Sequence, residues 1–241
     1  MGIFRFKQFE VDDTGCGMKV GTDSVLLGSW TPRPDKLDTF KVLDIGTGCG
    51  LLAMMLAQRF SDAVITAVEI DDMAINAAKI NINKSPWSGR IEILKGDIMQ
   101  SGIVNDRYDL IISNPPFFSE DIHSPSRLRS LARHGSGFNL ISLLAIAPGL
   151  LASDGQLAFV APAARHGDII YQSALAGLEP VATCDVSQRP SRPIVRRLYL
   201  MAKKGHSNQP PRVLSSIQLS NDDGSPSESY RSLTKDFYLN F

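Results

Sequence analysis

The sequence predicts an α/β fold in which a mostly parallel sheet is covered by helices on both faces. Short β-rich runs alternate with longer stretches whose apolar residues recur at helical spacing. A glycine-rich loop follows the first of these runs, and open α/β sheets bind ligands at such strand ends. The chain has 241 residues, 43% of them hydrophobic, which is enough for one α/β domain with a full core.

The first half of the chain supplies four strands and two helices. Residues 41–45 (KVLDI) form an apolar run that predicts a buried strand, and residues 51–60 place their apolar side chains on one side of a helix. Residues 64–69 predict the second strand. Residues 72–83 predict a helix because acidic residues at its start suit the positive end of the helix dipole. The third and fourth strands are predicted at 91–94 and 108–113 (YDLIIS).

The second half continues the alternation and ends on a pair of β segments. Two stretches, 205–211 and 222–229, are polar and rich in glycine, proline and serine, which predicts loops. The predicted elements are a helix that ends near Leu151, a strand at 156–161, a helix at 166–176 and a closing β pair at 180–186 and 195–202.

Composition excludes several classes of protein. Lys+Arg and Asp+Glu are both 25, so a phosphate-binding surface must be local rather than spread over the whole protein. The three cysteines show no C-x-x-C pairing, so we expect small buried side chains and neither disulfides nor a metal site. We find no signal peptide and no apolar stretch long enough to cross a bilayer, and we therefore expect a cytoplasmic protein without membrane contact.

Residues 44–50 (DIGTGCG) form the glycine loop between the first strand and the first helix. Their G-x-G-x-G spacing matches neither the dinucleotide pattern G-x-G-x-x-G nor the phosphate loop G-x-x-x-x-G-K-[ST]. Asp44 favours a ligand whose polar end is cationic, such as S-adenosylmethionine with its ammonium and sulfonium groups. Gly46, Thr47, Gly48 and Gly50 complete the loop and are candidate contacts for that cofactor.

Acidic residues also follow the second and third strands. Glu69 is placed to accept hydrogen bonds from both ribose hydroxyls, with Ile70 beside it. Asp97 is placed to accept from the adenine amino group, and Ile98 to pack on the ring. Taken singly, each of these acids is explained equally well as an ordinary surface residue or a helix cap. Three acids at successive strand ends, together with the loop, predict S-adenosylmethionine binding.

Asn114-Pro115-Pro116-Phe117 follows the fourth strand directly. Two prolines stiffen the turn and remove two N–H donors, which leaves the Asn114 side-chain oxygen and the Pro115 carbonyl as acceptors. Such a turn can hold both N–H groups of an exocyclic amine while Phe117 stacks on the attached ring. The transfer is then an in-line displacement driven by positioning, and no histidine is needed. A plain strand-ending turn is the alternative.

These motifs resemble the class I, Rossmann-like methyltransferases, whose sheet has seven strands with the last antiparallel. The Asn-Pro-Pro-Phe turn is similar to that of adenine-N6, cytosine-N4, guanine-N2 and protein-glutamine methyltransferases. It therefore indicates amino methylation without selecting the substrate.

Segments near both ends narrow the resemblance. Residues 6–9 (FKQF), 18–30 (MKVGTDSVLLGSW), 83–87 (NKSPW) and 232–239 (SLTKDFYL) resemble the bacterial tRNA(Val) adenine-N6 methyltransferases, which modify adenine-37 beside the anticodon. The resemblance covers nearly the whole chain. It implies one domain over residues 1–241, a tRNA partner, a monomer, and an extension at about 1–35 that caps the cofactor site.

By that resemblance, Lys19, Val20, Thr22 and Asp23 close over the methionine end of the cofactor. Asn114 is a candidate cofactor contact as well as a candidate catalytic residue. The simpler interpretation of this stretch is a helix start, with Thr22 or Asp23 as its cap. Two positions depart from the family pattern: Phe117 stands where many members have tyrosine, and Ser24 replaces a common glycine.

Two groups of basic residues are candidates for RNA contact. Arginine can pair with phosphates and stack on unpaired bases, although a solvated charged face is an equally good explanation for each group. The first group is Arg127, Arg129, Arg133 and His134, and the second is Arg189, Arg192, Arg196 and Arg197.

Three other functions stay open from the sequence. The chain is alternatively an amino methyltransferase of guanine N2 in ribosomal RNA, one of a release-factor glutamine, or a non-catalytic, cofactor-binding RNA chaperone. The intact Asn-Pro-Pro-Phe turn argues against the last of these.

Overall fold

The computed structural model describes residues 2–35, 38–100, 102–104, 106–116, 138–205 and 212–241. An antiparallel hairpin comes first, with β1 at Ile3–Arg5 and β2 at Glu10–Asp12. The strands of the main sheet are β3 Phe40–Ile45, β4 Ala63–Glu69, β5 Ile91–Lys95, β6 Tyr108–Ser113, β7 Leu151–Pro162, β8 Leu178–Ser187, β9 Ile194–Lys203 and β10 Arg212–Gln218.

Six α-helices are present in the described residues. The three that follow the hairpin, β3 and β4 are α1 Thr22–Trp30, α2 Leu51–Arg59 and α3 Asp72–Lys84. The later helices are α4 Leu140–Leu150, α5 His166–Leu175 and α6 Glu228–Thr234.

The main sheet has the order β10-β8-β9-β7-β6-β3-β4-β5. Its neighbours pair in parallel, except that β9 is antiparallel to both β7 and β8. The strand order reverses at β3, which lies between β4 and β6, and this reversal opens a crevice at the carboxyl ends of the strands. The predicted mostly parallel sheet with one antiparallel strand is confirmed.

The expected count of seven strands is one short, because β10 adds an eighth strand at the edge. It pairs in parallel with β8, from Arg212 opposite Ala182 to Gln218 opposite Ser187. The antiparallel β9 is therefore the seventh strand of eight. The segment RVLSSIQ has two central serines and no strong apolar alternation, so its pattern did not distinguish it from a loop.

Helices cover both faces of the sheet, as predicted. Alternate residues of β3 point to opposite faces of the sheet and pack in two separate hydrophobic cores. Val42 packs in the core with α1, α2 and α3, whereas Leu43 and Ile45 pack in the core with α4 and α5. This alternation follows from the two-residue period of a strand. The three cysteines are buried, which confirms that they pack as small apolar side chains.

The start of α1 differs from the predicted cap. Gly21 occupies the N-cap position, and no side chain of the described ranges caps the helix, so neither Thr22 nor Asp23 is the cap. Thr22 is exposed, and the Asp23 carboxylate pairs with Arg196 instead. The apolar side chains of residues 25–27 are buried, as expected if this stretch begins a helix. No helix among the described residues is long and apolar enough to span a membrane.

Candidate active site

A cavity of about 510 Å³ opens at the carboxyl ends of β3, β4, β5 and β6. Most of the residues that the sequence singles out lie on its wall, although they come from four different strand ends and from the N-terminal segment. Those on the wall are Lys19, Gly46, Thr47, Gly48, Glu69, Ile70, Asp97, Ile98, Asn114, Pro115 and Pro116.

Five candidates do not line the cavity, and one lies outside the described residues. These five are Val20, Thr22, Asp23, Asp44 and Gly50. Phe117, the fourth residue of the Asn-Pro-Pro-Phe turn, is outside the part of the chain that the structure describes.

The glycine loop turns sharply because its glycines adopt positive φ angles. Gly48 has φ +58° and donates its N–H to Glu69 Oε2 at 2.9 Å, which ties the loop to the end of β4. Gly50 has φ +85° and is the N-cap of α2, where an added Cβ would come within 3.1 Å of Ile82. Gly50 therefore allows α2 to pack closely against α3, whereas Gly48 shapes the cavity wall through its hydrogen bond to Glu69.

Glu69 is held in place by three backbone N–H groups. Oε2 accepts from Gly48, and Oε1 accepts from Ile70 at 2.8 Å and from Asp71 at 3.0 Å. A carboxylate offers about four acceptor positions. One position, on Oε2, therefore stays available for a ligand hydroxyl, and a second hydroxyl has to share a position with a backbone donor.

Asp44 is fully buried behind the loop and does not reach the cavity. Its Oδ2 accepts from Thr47 Oγ1 at 2.6 Å and from the Ala53 N–H at 3.1 Å, which joins the loop to α2. Its Oδ1 is buried and finds no partner in the described chain. Burial raises the pKa of Asp44 to about 7 despite the opposing hydrogen bonds from Thr47 and Ala53, and the nearby Glu69 charge adds to the rise.

Asp97 and Ile98 form the part of the wall that follows β5. Asp97 Oδ1 accepts from the Met99 N–H at 2.9 Å, while Oδ2 makes no hydrogen bond within the described residues. Ile98 is half-buried and packs against the core under α4 and α5. A free carboxylate oxygen beside an apolar side chain suits a flat ring that carries an N–H donor.

The N-terminal segment forms another part of the wall, through Met18, Lys19 and two glycines at 15 and 17. Asp13 holds this segment from behind. It accepts from Lys19 Nζ at 2.7 Å through its carbonyl, and its Oδ2 accepts from the Val20 N–H at 3.2 Å. The sequence reasoning missed Asp13. The cluster of polar and glycine residues at 12–17 was the available signal for a structured turn here.

Asn114 lies at the end of β6 with its amide held on one side only. Nδ2 donates to Ser24 Oγ at 2.9 Å and lies 3.5 Å from Met18 Sδ. Oδ1 is buried and lacks a hydrogen-bond partner within the described residues. A buried acceptor without a donor costs about 1–3 kcal/mol, so Oδ1 would be stabilised by any hydrogen-bond donor that reaches it.

Among the described residues that line the cavity, none is a histidine. His166 lies at the start of α5, where its Nδ1 is 3.1 Å from the Tyr199 hydroxyl, and burial lowers its pKa. His123, His134 and His206 lie outside the described residues. In the described ranges, no group of three or more His, Cys, Asp or Glu side chains is arranged to hold a metal ion.

The second basic group divides into paired and exposed arginines. Arg196 Nε lies 2.9 Å from Asp23 Oδ2, and Arg197 Nε lies 2.5 Å from Asp185 Oδ1. Arg189 and Arg192 are exposed on the turn between β8 and β9. The first basic group, Arg127, Arg129, Arg133 and His134, lies outside the described residues.

Solved structures share this architecture. A crystal structure described as a predicted O-methyltransferase from Agrobacterium tumefaciens matches with a TM-score of 0.68 at 20% identity, over 89% of this chain and 96% of that one. The glycopeptide N-methyltransferase MtfA, complexed with S-adenosyl-L-methionine, matches with a TM-score of 0.55 at 11% identity, over 77% and 100% of the chains. At these identities the likeness shows the fold alone.

Sequence comparison identifies the family. Residues 24–183 match the model of the methyltransferase small domain. The tRNA1(Val) (adenine(37)-N6)-methyltransferase of Porphyromonas gingivalis is 44% identical over 79% of this chain and 76% of that protein. The enzymes of the same name from Pedobacter heparinus and Photobacterium profundum are 36% and 38% identical over at least 98% of both chains. The chain therefore belongs to the family of tRNA1(Val) (adenine(37)-N6)-methyltransferases.

Proposed function

We propose that this protein transfers a methyl group from S-adenosylmethionine to the N6 amino group of adenine-37 in a valine tRNA. The relatives' names supply the substrate, and the geometry at Asn114 supplies the chemistry. The observation that carries the proposal is the Asn114 Oδ1 atom, a buried acceptor for which the described residues provide no donor. An exocyclic amino group beside Asn114 provides that donor.

The cavity fits S-adenosylmethionine by the chemistry of its donors and acceptors. Glu69 Oε2 keeps one acceptor position for a ribose hydroxyl, and Asp97 Oδ2 is available for the adenine amino group. Ile98 offers an apolar surface to the ring. Asp44 lies behind the wall, so its effect on a cationic ligand passes through Thr47 and the loop rather than through contact.

The bound cofactor supplies an electrophilic methyl group, and the residues of this chain prepare the nucleophile. The lone pair of an adenine amino nitrogen is delocalised into the ring, which makes it a poor nucleophile. Asn114 Oδ1 and the Pro115 carbonyl accept the two N–H groups and turn the lone pair out of conjugation. Positioning and electrostatics then carry the reaction, and the proton leaves the nitrogen after it has become cationic. We assign Phe117 to stacking on the target base.

The tRNA must deliver adenine-37 out of its stack, which costs less in a loop than in a duplex. We propose Arg189 and Arg192 as phosphate contacts because both are exposed, and we keep Arg127, Arg129 and Arg133 as further candidates. We also propose that residues 1–241 act as one monomeric, cytoplasmic domain whose first 35 or so residues cap the cofactor.

Incubation with methyl-labelled S-adenosylmethionine and valine tRNA transcripts tests this function. We expect labelled N6-methyladenosine in a transcript with adenine at position 37 and none in the matched transcript with guanine there. Label in ribosomal RNA or a release factor instead would overturn the substrate and retain the amino methylation. Cofactor binding without transfer to any of these would favour the non-catalytic chaperone.

A further inference from the structure

The Asn114 amide has two ends of opposite hydrogen-bonding character. Its oxygen accepts and its nitrogen donates, and a half-turn about the last side-chain bond exchanges the two. The proposed reaction needs the oxygen toward the amino group, because the nitrogen in that place would present a donor to a donor. Something in the protein must therefore fix the direction of this amide.

Two side chains from the N-terminal part of the chain contact the amide nitrogen. Ser24 Oγ accepts from Nδ2 at 2.9 Å, and Met18 Sδ lies 3.5 Å from the same atom. A serine hydroxyl can donate or accept, so Ser24 alone tolerates either orientation of the amide. A thioether sulfur only accepts, so Met18 selects the nitrogen and Ser24 then anchors it.

We propose that Ser24 and Met18 are positioning residues that aim the Asn114 oxygen at the substrate amino group. The inference rests on the proposed function and extends it to two residues that contact the Asn114 amide nitrogen.

The surrounding structure holds both positioning residues still. Ser24 lies in the first turn of α1 with only 8% of its surface exposed, and the neighbouring Asp23 is paired with Arg196 on β9. The segment that carries Met18 is fixed from behind by the hydrogen bonds that Lys19 and Val20 make to Asp13. A fixed anchor restricts the amide more than a mobile one does, because less freedom is lost when the hydrogen bond forms.

The first test is single-turnover methyl transfer by the full-length protein, with Ser24→Ala, Met18→Leu and the double variant. We expect Ser24→Ala to lower the rate about three- to tenfold, and the double variant to lower it further. For Ser24→Ala, the dissociation constant of S-adenosylhomocysteine and the KM for tRNA should change less than twofold. Ser29→Ala is the matched control, since Ser29 is a buried serine of the same helix whose Oγ has no partner in the described chain.

The second test separates aiming from a general structural effect. A carboxylate accepts on both oxygens and needs no aiming, so the Asn114→Asp background should reduce the effect of Ser24→Ala to less than twofold. An equal loss in the Asn114 and Asn114→Asp backgrounds, or full activity of Ser24→Ala, would overturn the positioning role. Failure of the proposed function is a different result, because the wild-type protein would then label no tRNA adenine.

Discussion

Two walls of the cavity are built from different kinds of contact. The loop wall, formed by residues 46–48, 69–71 and 96–98, takes its shape from backbone N–H groups that bind the Glu69 and Asp97 carboxylates. The amide wall, formed by Met18, Ser24 and Asn114, depends on side chains up to 96 positions apart in sequence. Most acceptor positions of the loop wall are therefore occupied before a ligand arrives, whereas in the amide wall a buried acceptor has no donor among the described residues.

This difference assigns separate tasks to the two walls. Changes in the loop wall should act on cofactor affinity, because its acids are already oriented. Changes in the amide wall should act on the rate of transfer, because its open acceptor is used only when the amino group is present.

The largest effect is expected for Asn114→Ala in the amide wall. Loss of an oriented polar group that contacts the reacting atoms should lower kcat by about 100-fold or more. The dissociation constant of S-adenosylmethionine should stay within about threefold, which calorimetry on the same preparation checks. A variant that keeps more than a third of wild-type kcat would show that the amide wall does not perform the chemistry.

Glu69→Ala in the loop wall should give the complementary result. It removes a carboxylate that accepts from three N–H groups and has one position left for a ribose hydroxyl. Hydrogen bonds to charged groups contribute about 1.5–3 kcal/mol, so S-adenosylhomocysteine should bind about ten- to a hundredfold more weakly by calorimetry. At saturating cofactor, kcat should fall only a few-fold. A large loss of kcat with unchanged cofactor affinity would contradict the assignment of cofactor binding to the loop wall.

The two walls also differ in how far the sequence predicts them. Gly48, Glu69 and Asp97 follow strands directly, so a strand assignment alone places them at one edge of the sheet. The Asn114 turn is predicted for the same reason. The contact between Ser24 and Asn114 spans 90 positions and joins a helix to a strand end, and no local pattern encodes it.

The errors in the prediction have physical causes as well. The sequence pattern favoured Thr22 or Asp23 as the cap of α1, but Asp23 pairs with Arg196, a tertiary contact that overrides local capping. The edge strand β10 was missed because an edge position tolerates polar residues such as the serines of RVLSSIQ.

The stability of the folded protein should depend on pH through Asp44, which is buried behind the loop wall. Burial raises its pKa to about 7, so between roughly pH 4 and pH 7 the folded chain holds a proton that the unfolded chain has released. The contribution of Asp44 to stability therefore falls as the pH rises through this window. Asp44→Asn lacks this titration, so its stability relative to wild type should rise by at least about 1 kcal/mol across the window.

Urea denaturation of wild type and Asp44→Asn at both ends of the window measures this difference. Asp97→Asn serves as the matched control, because Asp97 is half-buried on the cavity wall rather than enclosed. A difference between wild type and Asp44→Asn that does not change with pH would show that the buried carboxyl titrates normally.

The smallest effect is expected for Asp23→Asn. This variant tests whether Asp23, the neighbour of Ser24 in the amide wall, binds the cofactor or only pairs with Arg196. The family resemblance assigns Asp23 to the methionine end of the cofactor, whereas the structure pairs it with Arg196 at 2.9 Å. A partly exposed ion pair contributes no more than about 1 kcal/mol, so the melting temperature should fall by a few degrees at most. Cofactor affinity should change less than twofold if the pair is its only role, and about tenfold if Asp23 also binds the cofactor.

Arg196→Ala separates the ion pair from an RNA contact. Loss of the pair alone should reproduce the stability and cofactor affinity of Asp23→Asn and leave the KM for tRNA unchanged. An additional rise in the KM for tRNA, specific to Arg196→Ala and steeper at low salt, would mean that this arginine also contacts phosphate. The RNA surface would then extend from the turn between β8 and β9 to the start of α1, directly beside Ser24.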